Sequence, residues 1–313
     1  MHPAYSVIVF TTASGAGYGL LALLGLTAAS HGSASDFWFG SVSMLVALGL
    51  ITVGLLSSTF HLGHPERAWR AFSQWRSSWL SREGVLAVAT YIPACLFGLA
   101  WVMPGSNEIL LAGLGIVTAV LAMATVICTA MIYASLTTIR AWRHWLVVPV
   151  YVIFSIATGA VLLFALANVF GRSGIPALGV ITIAALMLAG VAKLVYWTGI
   201  DNMKPLYTMG DATGLGGDVR QWELPHTSEN YIQSEMGFRV ARRHARKLRM
   251  IVGACLVAAL VLVLAAFGLG GDAAPVFAVL AVALAGIGAI VERWLFFAQA
   301  RHVVSLFYGE QSI

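Results

Sequence analysis

Long apolar segments alternate with short polar ones along the whole chain. Each apolar segment has about the length that a helix needs to cross a bilayer, roughly 20 residues. The eight segments lie near residues 5–29, 37–60, 83–103, 108–133, 146–170, 176–197, 250–269 and 275–299. Turn-forming sequences at 104–107 and 270–272 separate two consecutive pairs. The pattern predicts an all-α integral membrane bundle of eight transmembrane helices.

The composition agrees with a membrane protein. Hydrophobic residues make up 59% of the chain and charged residues 10%, whereas a soluble domain carries roughly 25% charged residues. The net charge of +5 therefore concerns membrane orientation and anionic lipid headgroups, and nucleic acid is not expected as a partner. The first apolar segment is longer than a signal-peptide core of roughly 7–15 residues, and no Lys or Arg precedes it. We expect it to remain as the first span.

Basic residues are distributed unequally between the two sides of such a bundle. Of the sixteen Lys and Arg outside the apolar segments, fifteen lie on the side of the termini and one, Arg172, lies on the other. Because positively charged loops stay in the cytoplasm, both termini are predicted to be cytoplasmic, in the inner (cytoplasmic) membrane. We treat 1–313 as a single membrane anchor domain with a hydrophilic cytoplasmic loop at about 198–249. Residues from about 231 to 250 are predicted to form a helix that runs into the seventh span, and their basic run ARRHARKLR to contact lipid headgroups.

One short polar stretch, residues 58–83, is richer in chemistry than a connection requires. It reads STFHLGHPERAWRAFSQWRSSWLSRE. We expect Pro65 to end the helix that carries His61, and Ser81 to cap the next helix with Glu83 in its first turn. His61 and Glu83 would then lie at two adjacent helix ends on one membrane face. The alternative roles are structural, with His61 as a helix cap.

Few charged residues lie inside the apolar segments, where a charge is costly and is usually functional. They are Lys193, Glu292 and Arg293. All three lie in the third of the bilayer near the termini, whereas a secondary transporter is expected to place such groups near the midplane. Two interpretations of Lys193 stay open, a role at the site and a side chain that snorkels to the interface. Arg293 is assigned to an ion pair with a neighbouring helix.

The chain has no predicted redox centre of its own. All eight His lie at segment ends or in loops, so no pair is placed to ligate haem b. The three Cys lie inside apolar segments without CxxC spacing, so no iron–sulfur cluster or other metal is expected. A His and a carboxylate at one pocket can instead give a quinone headgroup a hydrogen-bond donor and a proton acceptor. Electrons must then be exchanged with a centre in another subunit.

The sequences HLGHPERAWRAF at 61–72 and SSWLSREG at 77–84 resemble the DmsC family through its motifs HLGxPxRA and LSxE. The resemblance implies a haem-free membrane anchor and quinone-reactive subunit of a three-subunit molybdopterin oxidoreductase, using menaquinone or ubiquinone. Its implied partners are a four-cluster, ferredoxin-like iron–sulfur subunit and, through that subunit, a molybdopterin catalytic subunit. The family associates the positions of His61 and Glu83 with the quinol site. The candidate quinone-site residues are His61, Glu83, Arg67, His64, Lys193 and Glu292.

The terminal substrate stays open at this point. The 198–249 loop resembles the anchors of cytoplasm-facing complexes such as membrane-bound sulfite dehydrogenase, so that both sulfite oxidation and the reduction of S- or N-oxides fit. A polysulfide-reductase-type (NrfD-like) quinone anchor is the nearest alternative, and the HLGxPxRA motif argues against it. A secondary transporter is the more distant one.

Overall fold

Among the residues that the structure describes, eight helices, α1–α8, are long and apolar enough to cross a membrane. The computed structural model describes residues 3–31, 37–59, 62–103, 105–172, 176–223, 228, 230–231 and 240–313. The first helix, α1, runs through Tyr5–Val9, a π-helical segment Phe10–Ser14 and Gly15–His31. The others are α2 (Phe37–Thr59), α3 (Trp79–Val102), α4 (Glu108–Ala134), α5 (Val147–Val169), α6 (Pro176–Asp201), α7 (Val240–Leu269) and α8 (Ala274–Ala298). The prediction of an all-α bundle with eight spans is confirmed in number and order.

The beginning of α3 differs from the prediction. Ser78 is the N-cap, since its hydroxyl accepts the Ser81 amide, and the helix begins at Trp79. The Ser81 hydroxyl is buried and donates to the carbonyl oxygen of Ala71. Glu83 therefore lies in the second turn of α3, beyond the reach of the capping interaction. The expectation that Ser81 caps the helix was wrong because another serine precedes it by one turn.

The connection between α2 and α3 is partly helical. α2 ends at Thr59, well before Pro65, and Pro65 instead begins a 3₁₀ helix, Pro65–Gln74. Proline suits this place because its φ angle and missing N–H match the first position of a helix. The prediction that Pro65 ends α2 was therefore wrong. His61 lies outside the described residues, and its position relative to Glu83 stays a prediction.

The first helix packs at the centre of the bundle through small residues. A Cβ atom on Gly19 of α1 would overlap the carbonyl oxygen of Ser155 on α5, and one on Gly25 would overlap that of Gly115 on α4. Small residues of this kind let membrane helices approach to backbone contact. Tyr18 and Leu24 of α1 are fully buried in the same core. α1 is therefore held by its neighbours on several sides.

The loops on the side of the termini form one connected layer. The amide of Val303 donates to the Thr138 carbonyl, 3.1 Å, and the amide of Leu206 donates to the Ile313 carbonyl, 2.8 Å. The segment after α6 contains a short helix, Met209–Thr213, whose capping box joins Thr208 to Asp211. Hydrogen bonds from Thr208 hold the pKa of Asp211 below its usual range. The predicted helix leading into the seventh span is confirmed from Val240 onward.

Candidate functional site

A carboxylate is buried in the second turn of α3. Glu83 is 5% exposed, and the Thr129 hydroxyl of α4 donates to its Oε1 at 2.6 Å. Thr129 also donates toward the carbonyl of Thr125, one turn earlier, at 3.1 Å. A buried carboxylate inside a membrane bundle carries a large desolvation cost. The burial of Glu83 is therefore evidence that an ionisable side chain is needed at this position of α3.

A small polar cavity adjoins Thr129 on the side of α1, α5 and α8. Its volume is about 20 Å³, which is room for about one water molecule. The π-helical segment Phe10–Ser14 contributes much of one wall, and π-helical turns occur frequently at functional sites. The polar residues that line the cavity are Thr11, Thr12, Ser14, Tyr18, Thr129, Tyr151, Ser155, Thr158 and Arg293.

Three charged side chains meet behind this cavity. Lys193 of α6 and Glu292 of α8 form an ion pair, and Nη2 of Arg293 lies 3.5 Å from Oε2 of Glu292. Lys193 is 1% exposed and Glu292 is fully buried. Two cations therefore share one carboxylate, which gives this cluster of three side chains a formal excess of one positive charge.

The ion pair of Lys193 with Glu292 decides between the two interpretations of Lys193 that the sequence left open. Lys193 does not snorkel to the interface, because Glu292 lies within ion-pair distance inside the bundle. The expectation that Arg293 pairs with a neighbouring helix was wrong, since its carboxylate partner is the adjacent Glu292. The Arg293 side chain is long enough to reach the carboxylate of the preceding residue, although adjacent residues project from different sides of a helix.

Aromatic rings surround the two cations. Cζ of Arg293 lies 3.7 Å from the centroid of the Tyr151 ring, and Nζ of Lys193 lies 4.3 Å from that of Tyr196. The faces of aromatic rings attract cations and partly replace their hydration. Nε and Nη1 of Arg293 find no acceptor among the described residues. Arg293 therefore brings unused N–H donors to a cavity that it lines.

The structure brings some of the predicted residues together and separates others. Glu83 reaches the cavity through Thr129, and Lys193 and Glu292 adjoin it through Arg293. His64 and Arg67 belong to the exposed connection before α3, where Nδ1 of His64 lies 3.0 Å from Oε1 of Glu66. In the part of the chain that the structure describes, no hydrogen bond or ion pair joins them to Glu83.

Three residues of the site were not identified from the sequence as functional. They are Thr129, Tyr151 and Arg293, of which only Arg293 carried a signal, a charge within an apolar segment. Thr129 and Tyr151 are ordinary residues of membrane helices, and only the packing of α4, α5 and α8 makes them neighbours of the cavity. Among the described residues, no group of three or more His, Cys, Asp and Glu could hold a metal ion.

The structure is thus an eight-helix membrane bundle, among the described residues, with a buried carboxylate and a buried cationic cluster near one end. The chain matches the family model described as "DMSO reductase anchor subunit (DmsC)" over residues 1–207 and belongs to that family. It is also 31% identical to a sulfite dehydrogenase subunit from Allochromatium vinosum, over 98% of this chain and 99% of that protein. This likeness extends beyond residue 207 into the last two spans. The chain is therefore a multi-pass membrane anchor subunit of a molybdoenzyme complex.

Proposed function

We propose that this subunit exchanges electrons between the membrane quinone pool and an iron–sulfur subunit, and that its quinone site includes Glu83 and the polar cavity beside it. The observation that carries the proposal is the buried Glu83 carboxylate, held by Thr129 next to a cavity that Arg293 also lines. A carboxylate and an excess positive charge on two sides of one cavity suit chemistry in which protons and electrons move together. Family membership supports the same role.

The side chains at the cavity fit an oxygen-bearing headgroup. Nε and Nη1 of Arg293 and the buried Tyr18 and Tyr151 hydroxyls make no hydrogen bond of standard geometry with a described residue. The volume of about 20 Å³ is that of a water molecule, so the cavity must widen to admit a ring. We assign this movement to the π-helical segment of α1, whose hydrogen-bond pattern departs from the regular helix around it.

Each residue has a separate task in this proposal. A bound quinone supplies chemistry that takes up or releases two electrons and two protons. Glu83 accepts or delivers a proton, and Thr129, which lines the cavity, donates a hydrogen bond to its Oε1. Arg293 places positive charge where negative charge develops, and the ion pair of Lys193 with Glu292 keeps that guanidinium beside Tyr151. His61 follows the end of α2 in the sequence. We retain it as a second proton-transferring group in this proposal.

The partner is proposed to dock on the side of the termini, and that side to face the cytoplasm. Two exposed apolar residues of the loop after α6 support docking there, Trp222 at 96% and Leu215 at 75% exposure. Trp is enriched at protein–protein interfaces relative to the rest of a protein surface. The proposed partner is a four-cluster iron–sulfur subunit that connects to a molybdopterin subunit. Sulfite is the proposed terminal substrate, because the relative is a sulfite dehydrogenase subunit.

The purified complex tests the function. We expect sulfite to reduce a soluble quinone analogue through the complex, and the isolated chain to show no haem absorbance. Reduction of dimethyl sulfoxide by a quinol analogue, without sulfite-dependent activity, would assign the opposite electron flow. Absence of both activities in a complex that still reacts with an artificial dye would contradict quinone reactivity.

Partner docking has its own test. The double variant Leu215→Ser with Trp222→Ser should release the iron–sulfur subunit from membranes, because it removes the two exposed apolar contacts. The control is Leu269→Ser. It changes a leucine that is about as exposed as Leu215 but lies at the C-terminal end of α7, away from the loop after α6. Retention of the partner in both variants would place docking elsewhere on this face.

A further inference from the structure

A second and larger cleft lies where the ends of α6 and α7 meet the α4–α5 connection and the residues after α8. Its volume is about 710 Å³, within the range of small-molecule sites, roughly 300–1,000 Å³. We call it the arginine cleft. The charged residues that line it are Arg140, Asp201, Arg243, Arg246, Arg249 and Arg301.

The charges of the arginine cleft are not balanced. Five guanidinium groups face one side-chain carboxylate, so the lining side chains carry a formal excess of four positive charges (5 − 1). Arg249 already occupies that carboxylate, with Nη2 at 2.9 Å from Oδ1 of Asp201. Arg243, Arg246 and Arg301 are exposed and form no ion pair with a described residue. Concentrated positive charge in a concave site is the expected recognition surface for a polyvalent anion.

The type of basic residue indicates the type of anion. All five cations of the cleft are arginines, although Lys204 and Lys247 lie nearby in the chain. The planar guanidinium presents paired N–H groups that match the oxygens of a phosphate, whereas an ammonium group acts as a point charge. The Nε of Arg249 is buried and has no acceptor among the described residues. A phosphate-bearing ligand would use the guanidinium donors of Arg243, Arg246 and Arg301, which are exposed.

The surroundings of the cleft favour a lipid as the carrier of that phosphate. The uncharged lining is largely apolar and includes Ile200, Met203 and Pro205. Directly beyond Arg249, α7 exposes apolar side chains along its length, including Met250 and Val257. Arginines at the end of a span, with an apolar floor and an apolar helix face below them, match both parts of a phospholipid. An acidic polypeptide would match only the charge.

We infer that the arginine cleft binds the phosphate headgroup of an anionic membrane lipid, held by Arg243, Arg246 and Arg301. Arg249 and Arg140 shape the cleft, since Arg249 joins α7 to Asp201 and Arg140 donates to the Lys204 carbonyl at 2.5 Å. The bound headgroup would offset part of the positive charge of the cleft and connect α6, α7 and the residues after α8. This site is separate from the cavity beside Thr129 and does not depend on quinone reactivity.

Native mass spectrometry of the intact complex in detergent tests the inference. Cardiolipin, phosphatidylglycerol and phosphatidylcholine are offered at equal concentrations to the wild type and to the triple variant Arg243→Gln, Arg246→Gln and Arg301→Gln. The wild type should retain anionic lipid over phosphatidylcholine. A basic residue near an anionic headgroup contributes about 1 kcal/mol, so the triple variant should bind it roughly 100-fold more weakly. The control variant, Arg70→Gln, Arg76→Gln and Arg220→Gln, removes the same charge outside the cleft and should keep the wild-type affinity.

The remaining arms identify the source of the anion. Inorganic phosphate alone, at millimolar concentration, should fail to displace the lipid, and displacement would overturn the lipid source in favour of a soluble phosphate. Lipid retained only after the partner subunits are removed would overturn the inference in favour of an acidic segment of the partner. Equal binding of anionic and zwitterionic lipid, or equal loss in the two triple variants, would also overturn it. Should the glutamine variant not fold, replacement of the same three residues by lysine retains the charge and should still weaken binding.

Discussion

The proton-transfer role proposed for Glu83 depends on its carboxylate, which accepts a hydrogen bond from Thr129. Replacement by glutamine keeps the size of the side chain and a hydrogen-bond acceptor for Thr129, but removes the proton-transferring carboxylate. We expect quinone-coupled turnover of Glu83→Gln to fall by about 10²- to 10⁴-fold, the usual loss for a general acid–base group. Turnover with an artificial dye at the catalytic subunit should stay at the wild-type level.

The control for this variant is Glu66→Gln, which alters an exposed carboxylate of the α2–α3 connection. It should change quinone-coupled turnover by less than a few-fold. Equal losses in both variants would mean that the buried carboxylate has no special role. His61→Ala completes the comparison and should resemble Glu83→Gln if His61 shares the proton transfer.

The buried cationic cluster makes a prediction about stability. Glu292→Gln removes the one carboxylate that Lys193 and Arg293 share and leaves two buried cations without it, and breaking a buried pair in this way typically costs about 3–5 kcal/mol. We expect the free energy of unfolding to fall by that amount, measured by chemical denaturation in detergent. Lys204→Met removes an exposed lysine and should change it by less than about 0.5 kcal/mol. A similar small effect for both would show that Lys193 reaches solvent.

At the scale of elements, α1 is the helix on which the site depends. It contributes the π-helical wall of the cavity and also the glycines that touch α4 and α5. A side chain added at these contacts must push whole helices apart, because the atoms that it meets belong to backbone. Both the cavity wall and the closest helix contacts therefore depend on α1, so a change at one is expected to affect the other.

Gly19→Ala tests this coupling. The added methyl group would overlap the Ser155 carbonyl, and overpacking of this kind costs typically about 1–3 kcal/mol. We expect a lower thermal midpoint in detergent and lower quinone-coupled turnover. Gly113→Ala on α4 meets no atom within 4 Å and should unfold at or above the wild-type midpoint, since alanine favours helix over glycine. Equal thermal midpoints and equal quinone-coupled turnover in Gly19→Ala and Gly113→Ala would contradict this coupling.

At the scale of the whole molecule, the unequal distribution of Lys and Arg predicts the orientation of the subunit in the membrane. A reporter fused after Ile313, and a second one inserted in the loop after α6, should both report the cytoplasm, because fifteen of the sixteen loop Lys and Arg lie on that side. Activity of a periplasmic reporter at both places would reverse the proposed orientation. It would also move the proposed docking face of the partner to the outer side.

Much of the architecture could be predicted from the amino-acid order. Eight spans, their approximate ends and the inequality of charge follow from local properties, because crossing a bilayer needs about 20 apolar residues and each backbone polar group is satisfied within its own helix. The family motifs at 61–72 and 77–84 identified the class of protein for a similar reason, since they are contiguous. The error at Ser81 arose because Ser78 offers a cap one turn earlier, and the error at Pro65 arose because proline also suits the first position of a helix.

The tertiary structure alone decided which side chains form sites. Lys193 and Glu292 are 99 positions apart (292 − 193), and nothing in the hydropathy of α6 or α8 shows that these helices are neighbours. Thr129 became a partner of Glu83 and Arg249 a partner of Asp201 only through packing. In a bilayer, every apolar face is compatible with lipid, so hydrophobicity does not specify which helix faces which. Close contacts at small residues and a few buried polar pairs make that choice, and they depend on the folded arrangement of all eight spans.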